Sequence, residues 1–125
     1  MRTLYIVDDD YDILLSLSIW FKKMGFEAGT FENSKTLFDA LKNSTPDLII
    51  LDINLKGEDG RDICKQIKTE MKIECPIILF SANYPALDNI TDRCADGILH
   101  KPFDLPDLLQ LVKSHVPIEE NRAAS

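Results

Sequence analysis

The feature that most constrains this chain is a short apolar run that ends in a single acid, Leu48-Ile-Ile-Leu-Asp52. An uninterrupted apolar run of this length predicts a strand buried on both faces, which is typical of a parallel sheet. Open α/β sheets bind ligands at the carboxyl ends of their strands, so Asp52 is expected at such an edge. The first predicted strand, Thr3 to Val7, also ends in acids: Asp8, Asp9 and Asp10. Two strands that deliver acids to one edge predict a functional site.

Five predicted strands alternate with five predicted helices along the chain. Apolar residues recur at helical spacing from Ile13 to Met24, with Asp10 or Asp12 as the N-cap and Gly25 at the end. This alternation predicts an α/β protein with a doubly wound parallel sheet that is covered on both faces. The other predicted strands are 26–31, 47–51, 76–80 and 97–100. Of the other predicted helices, two follow the caps Ser34 and Asp104, one begins at Asp59 or Gly60, and one begins at Pro85.

Composition and charge exclude several classes of function. The 125 residues have the size of one domain, which we expect to span 1–117, with 118–125 as a polar tail or the start of a linker. The net charge of −7 disfavours direct binding to nucleic acid or to anionic membranes. No apolar run approaches the ~20 residues of a membrane span, and the N-terminus lacks a signal-peptide layout. We therefore expect no membrane insertion and a cytoplasmic location.

The cysteines and histidines do not predict a metal site. Cys64, Cys75 and Cys94 are odd in number and widely spaced, so they suggest neither a disulfide framework nor a zinc site. We expect them to be buried or half-buried thiols in a reducing compartment. His100 and His115 are too far apart in sequence to indicate a pair of ligands.

Charged and hydroxyl side chains follow four of the five predicted strands: the acids after strand one, Asp52, Ser81 and Lys101. Two like charges ~4 Å apart at an effective dielectric near 20 repel by about 4 kcal/mol, so gathered carboxylates need protonation, a basic partner or a hard cation. Lys101 supplies one positive charge, and the remaining negative charge suits Mg²⁺. The alternative is that the acids are helix caps on a solvated edge. We favour that alternative for Asp10 and Asp12, and a site for Asp9 and Asp52.

With these residues identified, the chain resembles response-regulator receiver domains from about Thr3 to Val116. Four motifs carry the resemblance, each directly after its own strand and at the approximate spacing of the family. It implies a (βα)5 flavodoxin-like fold with a five-stranded parallel sheet of order 2-1-3-4-5. The motifs are Asp8-Asp9, Asp52 closing LIILD, Ser81-Ala82 closing IILFSA, and Lys101-Pro102-Phe103.

The resemblance implies a phosphoryl-accepting switch of a two-component or phosphorelay system, and not a turnover enzyme. Asp52 would take the phosphoryl group from a phosphohistidine of a sensor histidine kinase or a histidine phosphotransfer protein. Lys101 and Ser81 would contact the phosphoryl oxygens, and the changed surface between them would signal to an unidentified output partner. The domain would assist its own phosphorylation and dephosphorylation. The resemblance also implies a cis Lys101–Pro102 peptide and Mg²⁺ held by Asp9, Asp52, the Asn54 backbone carbonyl and, mainly through water, Asp8.

Three positions depart from the family pattern. Ile98 stands where an aromatic residue is common, and we expect it to pack in the core as an aliphatic residue. The interval from Ser81 to Ile98 is about two residues shorter than usual, which predicts a trimmed fourth helix. Lys56 replaces a common proline, which predicts a more mobile loop after the acceptor. Neither Asn54 nor Asn83 is a base, so we predict no unusually fast self-dephosphorylation.

Three other functions are alternatives to this one. A phosphatase of the haloacid-dehalogenase type needs a general acid two residues after its nucleophile, and here that position is Asn54. An FMN-binding flavodoxin needs a hydroxyl- and glycine-rich loop where this chain has Asp8, Asp9 and Asp10. A receiver-like interaction module that is never phosphorylated stays open, although the intact set of Asp9, Asp52, Ser81 and Lys101 argues against it.

Overall fold

The computed structural model describes residues 2–81 and 94–116, in which a parallel sheet is flanked by helices. A π-helical turn, Gln66–Glu70, extends the third helix. The elements in chain order are β1 (Thr3–Val7), α1 (Tyr11–Lys23), β2 (Glu27–Phe31), α2 (Ser34–Leu41), β3 (Leu48–Asp52), β4 (Asn54–Leu55), β5 (Glu58–Asp59), α3 (Gly60–Lys65), β6 (Ile77–Ser81), β7 (Gly97–His100) and α4 (Leu105–His115).

Five strands form the main sheet in the order β2-β1-β3-β6-β7, and every neighbouring pair is parallel. Counted along the chain, this is the order 2-1-3-4-5, which confirms the expected flavodoxin-like fold. β3 lies at the centre, where it pairs with β1 on one side and β6 on the other. Both pairings bring the carboxyl ends of these strands to the same edge of the sheet.

The apolar run of β3 contributes to two separate cores because successive side chains of a strand point to opposite faces. Ile49 and Leu51 pack on one face, together with buried side chains of α2 and α3. Leu48 and Ile50 pack on the other face, together with buried side chains of α1 and α4. All five residues of β3 are buried, so Asp52 ends a strand that has no solvated side.

Capping groups define where the helices begin and end. The Asp10 side chain accepts hydrogen bonds from the backbone N–H of Asp12 and Ile13, as predicted for α1. Gly25 follows the helix with a φ of 96°, a left-handed conformation that glycine adopts without strain. The prediction for α2 was wrong by one residue. Its cap is Asn33, whose extended backbone lets its side chain reach Thr36 N, and Ser34 is the first helical residue.

Ile98 is 41% exposed, so the expectation that it packs in the core was wrong. The physical reason is its position on β7, which is an edge strand with a hydrogen-bonded neighbour on one side only. Cys64 and Cys75 are buried and Cys94 is half-buried, as expected. The predicted helix after Pro85, Asn83 and the tail 118–125 lie outside the described residues.

No helix in the described ranges is both long enough and apolar enough to cross a membrane.

Candidate functional site

Three carboxylates meet at the carboxyl edge of the sheet. Asp8 and Asp9 follow β1, Asp52 ends β3, and one oxygen from each lies within 4.8 Å of the others. Asp8 is only 1% exposed and Asp52 only 5%, whereas Asp9 is half-buried. The structure therefore brings together the acids predicted for the site, and two of them are withdrawn from water.

Lys101 supplies the positive charge among these acids. Its Nζ donates to Asp8 Oδ2 at 3.0 Å and to Asp52 Oδ2 at 3.3 Å. The same Nζ lies 4.5 Å from the centroid of the Phe80 ring, a cation–π contact that sequence reasoning missed. Phe103 packs edge-on against Phe80 at 5.9 Å between centroids. The peptide between Lys101 and Pro102 is cis, as the resemblance implied.

The environment raises the pKa of Asp52 from 3.8 to about 6. Burial is the largest cause, and the charge of Asp8 adds to it because two neighbouring carboxylates repel each other. Lys101 and the backbone N–H of Asn54 act in the opposite direction. Asp52 is therefore a buried acid whose ionised form is held at a cost in free energy.

The segment after Asp52 forms a small hairpin that was not predicted. β4 and β5 pair with each other, and Lys56 and Gly57 form the turn between them. Asn54 N donates to Asp52 Oδ1 at 3.1 Å, and Lys56 N donates to Asp9 Oδ2 at 3.0 Å. The hairpin thus contacts two of the three acids through backbone N–H groups.

Glu58 fastens this hairpin to the start of α2. Its carboxylate accepts hydrogen bonds from Ser34 N at 3.0 Å and from Ser34 Oγ. An acid at the first turn of a helix is favourable because the first N–H groups of the helix have no partner inside it. The hairpin is therefore anchored from two directions, at Glu58 and at Lys56.

Gly60 begins α3 where the backbone passes very close to the carboxyl end of β3. A Cβ at this position would lie 2.2 Å from the Asp52 carbonyl oxygen and 2.8 Å from Ile53 Cα. Both neighbours are backbone atoms, which cannot move aside cheaply. Gly60 N also donates to Ile53 O at 2.8 Å, which fixes the close approach.

We predict that Gly60→Ala lowers the free energy of unfolding by about 2 kcal/mol, the range expected for overpacking against rigid atoms. Urea unfolding measures the change. Gly97→Ala is the matched control, because the nearest atoms to its Cβ would be side-chain carbons of Ile78 and Leu111, at 3.4 Å or more. Equal stability of the two variants would contradict the steric argument.

The remaining predicted residues take other positions. Asp10 caps α1, and its backbone N donates to Asp8 Oδ1 at 2.9 Å. Asp12 is exposed in the first turn of the same helix, where its backbone N–H donates to Asp10, so Asp10 is the cap and Asp12 is not. Ser81 ends β6 and pairs in register with His100, at the edge that carries the acids.

The donor set of this cluster fits a hard cation. Mg²⁺ prefers carboxylate and carbonyl oxygens and keeps several waters, and three neighbouring carboxylates with one ammonium leave an excess of negative charge. Among the described residues, the group whose geometry would allow a metal ion contains only carboxylates and no cysteine or histidine, so its chemistry suits magnesium better than a soft metal.

Comparison with known proteins gives a consistent result. A family model described as the response regulator receiver domain matches residues 4–113. Response regulator protein TrrA from Thermotoga maritima, in complex with Mg²⁺-BeF, is 28% identical over 93% of this chain and 100% of its own, with a TM-score of 0.84. The BeF3-activated receiver domain of nitrogen regulatory protein C is 31% identical. The match covers 92% of this chain and 95% of that domain, with a TM-score of 0.74. A two-component response regulator from Clostridium difficile is 26% identical. The match covers 91% of this chain and 94% of that protein, with a TM-score of 0.79.

Proposed function

Because this chain belongs to the response regulator receiver domain family, we propose that Asp52 is the residue that accepts its phosphoryl group. Receiver domains of two-component response regulators are phosphoacceptor switches, and this chain is one of them. One observation carries the assignment of Asp52. It is a buried acid at the end of the central strand, surrounded by two further carboxylates and by the Lys101 ammonium.

The proposed reaction is a transfer from nitrogen to oxygen. A carboxylate oxygen of Asp52 attacks the phosphorus of a phosphohistidine, so that a P–O bond forms while the P–N bond breaks. The imidazole nitrogen leaves with the electron pair and takes up a proton. Lys101 already lies 3.3 Å from Asp52 Oδ2, so its charge is in place to balance the charge that develops on the phosphoryl oxygens. The Ser81 hydroxyl is proposed to donate to the attached phosphoryl group.

Magnesium is the proposed cofactor. Asp9, Asp52 and the backbone carbonyl of Asn54 would hold it directly, and Asp8 mainly through water. When bound, the cation supplies positive charge for the phosphoryl oxygens and for the crowded carboxylates. The three neighbouring acids support this assignment, as does the complex of the relative TrrA with Mg²⁺-BeF.

Phosphorylation would change the charge at the centre of the sheet edge. A phosphoryl group carries a charge of about −1.5 to −2, in a site where the Asp8 carboxylate already competes for Lys101. We propose that Lys101 and Ser81 reorient toward the new oxygens and shift the surface between them. That surface would then differ between the two states, which is what a switch requires. We further propose that the domain, residues 1–117, assists the gain and the loss of its own phosphoryl group.

A groove beside Lys101 offers a place for the phosphohistidine donor. It has a volume of about 480 Å³ and lies between α1 and the segment after β7, where Ile13, Leu17, Pro102 and Phe103 supply its apolar lining. The proposed occupant is a helix of a sensor histidine kinase or of a histidine phosphotransfer protein. Apolar side chains on such a helix would fill the groove while its histidine reaches Asp52.

Incubation with Mg²⁺ and acetyl phosphate, followed by intact mass measurement, tests this function. We expect a single gain of ~80 Da, the mass of one phosphoryl group. Chelation of the metal with EDTA should abolish the gain, and peptide mapping should locate it on the peptide that contains Asp52. No gain even with a competent kinase would support the interaction module instead, and a gain on another residue would refute the assignment of Asp52.

A further inference from the structure

The hairpin after β3 makes one contact with the acidic cluster that the reaction does not use. The backbone N–H of Lys56 donates to Asp9 Oδ2 at 3.0 Å, across 47 positions of the chain. Asp9 follows β1 directly, whereas Lys56 lies at the tip of the hairpin. Its donor therefore reaches Asp9 from a different loop.

We propose that Lys56 is a positioning residue for the magnesium site, and that its backbone N–H orients the Asp9 carboxylate toward Asp8 and Asp52. This inference rests on the metal site of the proposed function. A carboxylate offers about four acceptor positions on its two oxygens, so one hydrogen bond on Oδ2 leaves ample capacity for a cation. If the Asp9 carboxylate is already oriented before the metal binds, it loses less conformational entropy on binding, and the affinity for the metal is higher.

The hairpin is built to hold this donor in place. Leu55 pairs with Glu58 across the turn, and Glu58 is itself bonded to Ser34 at the start of α2. The base of the hairpin is therefore hydrogen-bonded to α2, a helix outside the site. Lys56 N–H then contacts Asp9 from a support that does not depend on the metal.

The turn also allows the donor to be removed without changing the backbone. Gly57 has a φ of +70°, and Lys56 is not among the residues with positive φ. A negative φ followed by a positive one is typical of a type II turn, which favours proline at its first central position. Proline has no backbone N–H. Lys56→Pro should therefore keep the hairpin and delete only the side chain and the donor.

Magnesium titration of the metal-free protein, followed by amide NMR shifts, tests the proposal. Lys56→Pro should bind Mg²⁺ about five- to tenfold more weakly than Lys56→Ala, near the lower end of the effect expected for an outer partner of a metal ligand. The two variants lose the same side-chain charge, so their difference isolates the N–H group. Equal affinities, or tighter binding by Lys56→Pro, would overturn the proposal.

Hydrogen exchange of the Lys56 amide in the wild-type protein decides the matter if Lys56→Pro does not fold. We expect the amide to stay protected, or to become better protected, when Mg²⁺ saturates the site. Faster exchange in the presence of Mg²⁺ would mean that the cation displaces the hydrogen bond, which refutes the positioning role. If the wild type itself shows no shifts around Asp8, Asp9 and Asp52, the metal site fails as well. If the wild type binds Mg²⁺ but the two variants have equal affinities, the positioning role of Lys56 is refuted and the proposed metal site is retained.

Discussion

Replacing Asp52 by asparagine should abolish the mass gain from acetyl phosphate and, in the same protein, stabilise the fold. Without metal at pH ~7.5 we expect the free energy of unfolding to rise by about 2–3 kcal/mol. Asparagine has nearly the shape of aspartate but no charge. It cannot accept a phosphoryl group, and it neither needs the hydration that burial removes nor repels Asp8. A loss of function would thus accompany a gain of stability.

The direction of the pKa shift of Asp52 determines how the free energy of unfolding depends on pH. The pKa of Asp52 is raised from 3.8 to about 6 in the folded protein, so folding favours its protonated form. The wild type is then fully stabilised by this group below about pH 4, and the contribution is lost as the pH rises through about 6. The variant has no such loss. Urea unfolding of both proteins should give similar stabilities near pH ~4 and the full difference above pH ~7.

Asp39→Asn is the control for both effects. Asp39 lies on α2, where its side chain is 63% exposed and pairs with Lys42 at 3.8 Å. We expect this variant to accept a phosphoryl group as the wild type does and to change stability by less than about 0.5 kcal/mol. A mass gain in Asp52→Asn would show that the acceptor is elsewhere. A less stable Asp52→Asn at neutral pH would show that charge burial is not what raises the pKa of Asp52.

Lys101→Met should have the opposite effect on stability. Removal of the ammonium leaves Asp8 and Asp52 buried side by side without the cation that bonds to both. We expect a loss of about 3 kcal/mol at pH ~7.5 without metal, as for other buried pairs that lose one partner. Methionine keeps a chain of similar length against the Phe80 ring. The loss in the free energy of unfolding is therefore due mainly to the missing charge and less to changed packing. Urea unfolding is again the measurement.

Two comparisons separate this electrostatic cause from a general defect. Lys68 pairs with Asp96 at the same 3.0 Å, but the two side chains are 25% and 39% exposed, so Lys68→Met should cost less than about 1 kcal/mol. Mg²⁺ should restore part of the stability of Lys101→Met, because a bound cation neutralises the same carboxylates. If Mg²⁺ stabilises the variant no more than it stabilises Lys68→Met, packing explains the loss instead.

The sequence predicted the fold well where one local signal determined the outcome. The apolar run 48–51 predicted a strand buried on both faces, and β3 is that strand. Helix α1 was bounded correctly because Asp10 and Gly25 are strong terminators. The gathering of Asp8, Asp9 and Asp52 followed from parallel strands that end at one edge. The strand order itself came from the resemblance.

The errors and omissions lie where partners come from distant segments. Lys56 N–H has no signature in the sequence, since every residue except proline carries such a donor. The contact of Phe80 with Lys101 depends on which face of the ring meets the ammonium, and a pattern of apolar residues does not contain that information. Ile98 was misplaced because an aliphatic residue on an edge strand carries no sequence signal for how much of its side chain neighbouring segments cover. How far Lys56 makes its loop more mobile stays a prediction.

The central position of β3 also determines how the switch fails when the protein is damaged. Because β3 is hydrogen-bonded to β1 and to β6, it opens only when the sheet as a whole comes apart. A variant with a weakened core should then be a mixture of intact and unfolded molecules, and not a population of half-working ones. The phosphorylated amount at saturation would fall in step with the folded fraction, while each surviving molecule would give the full signal.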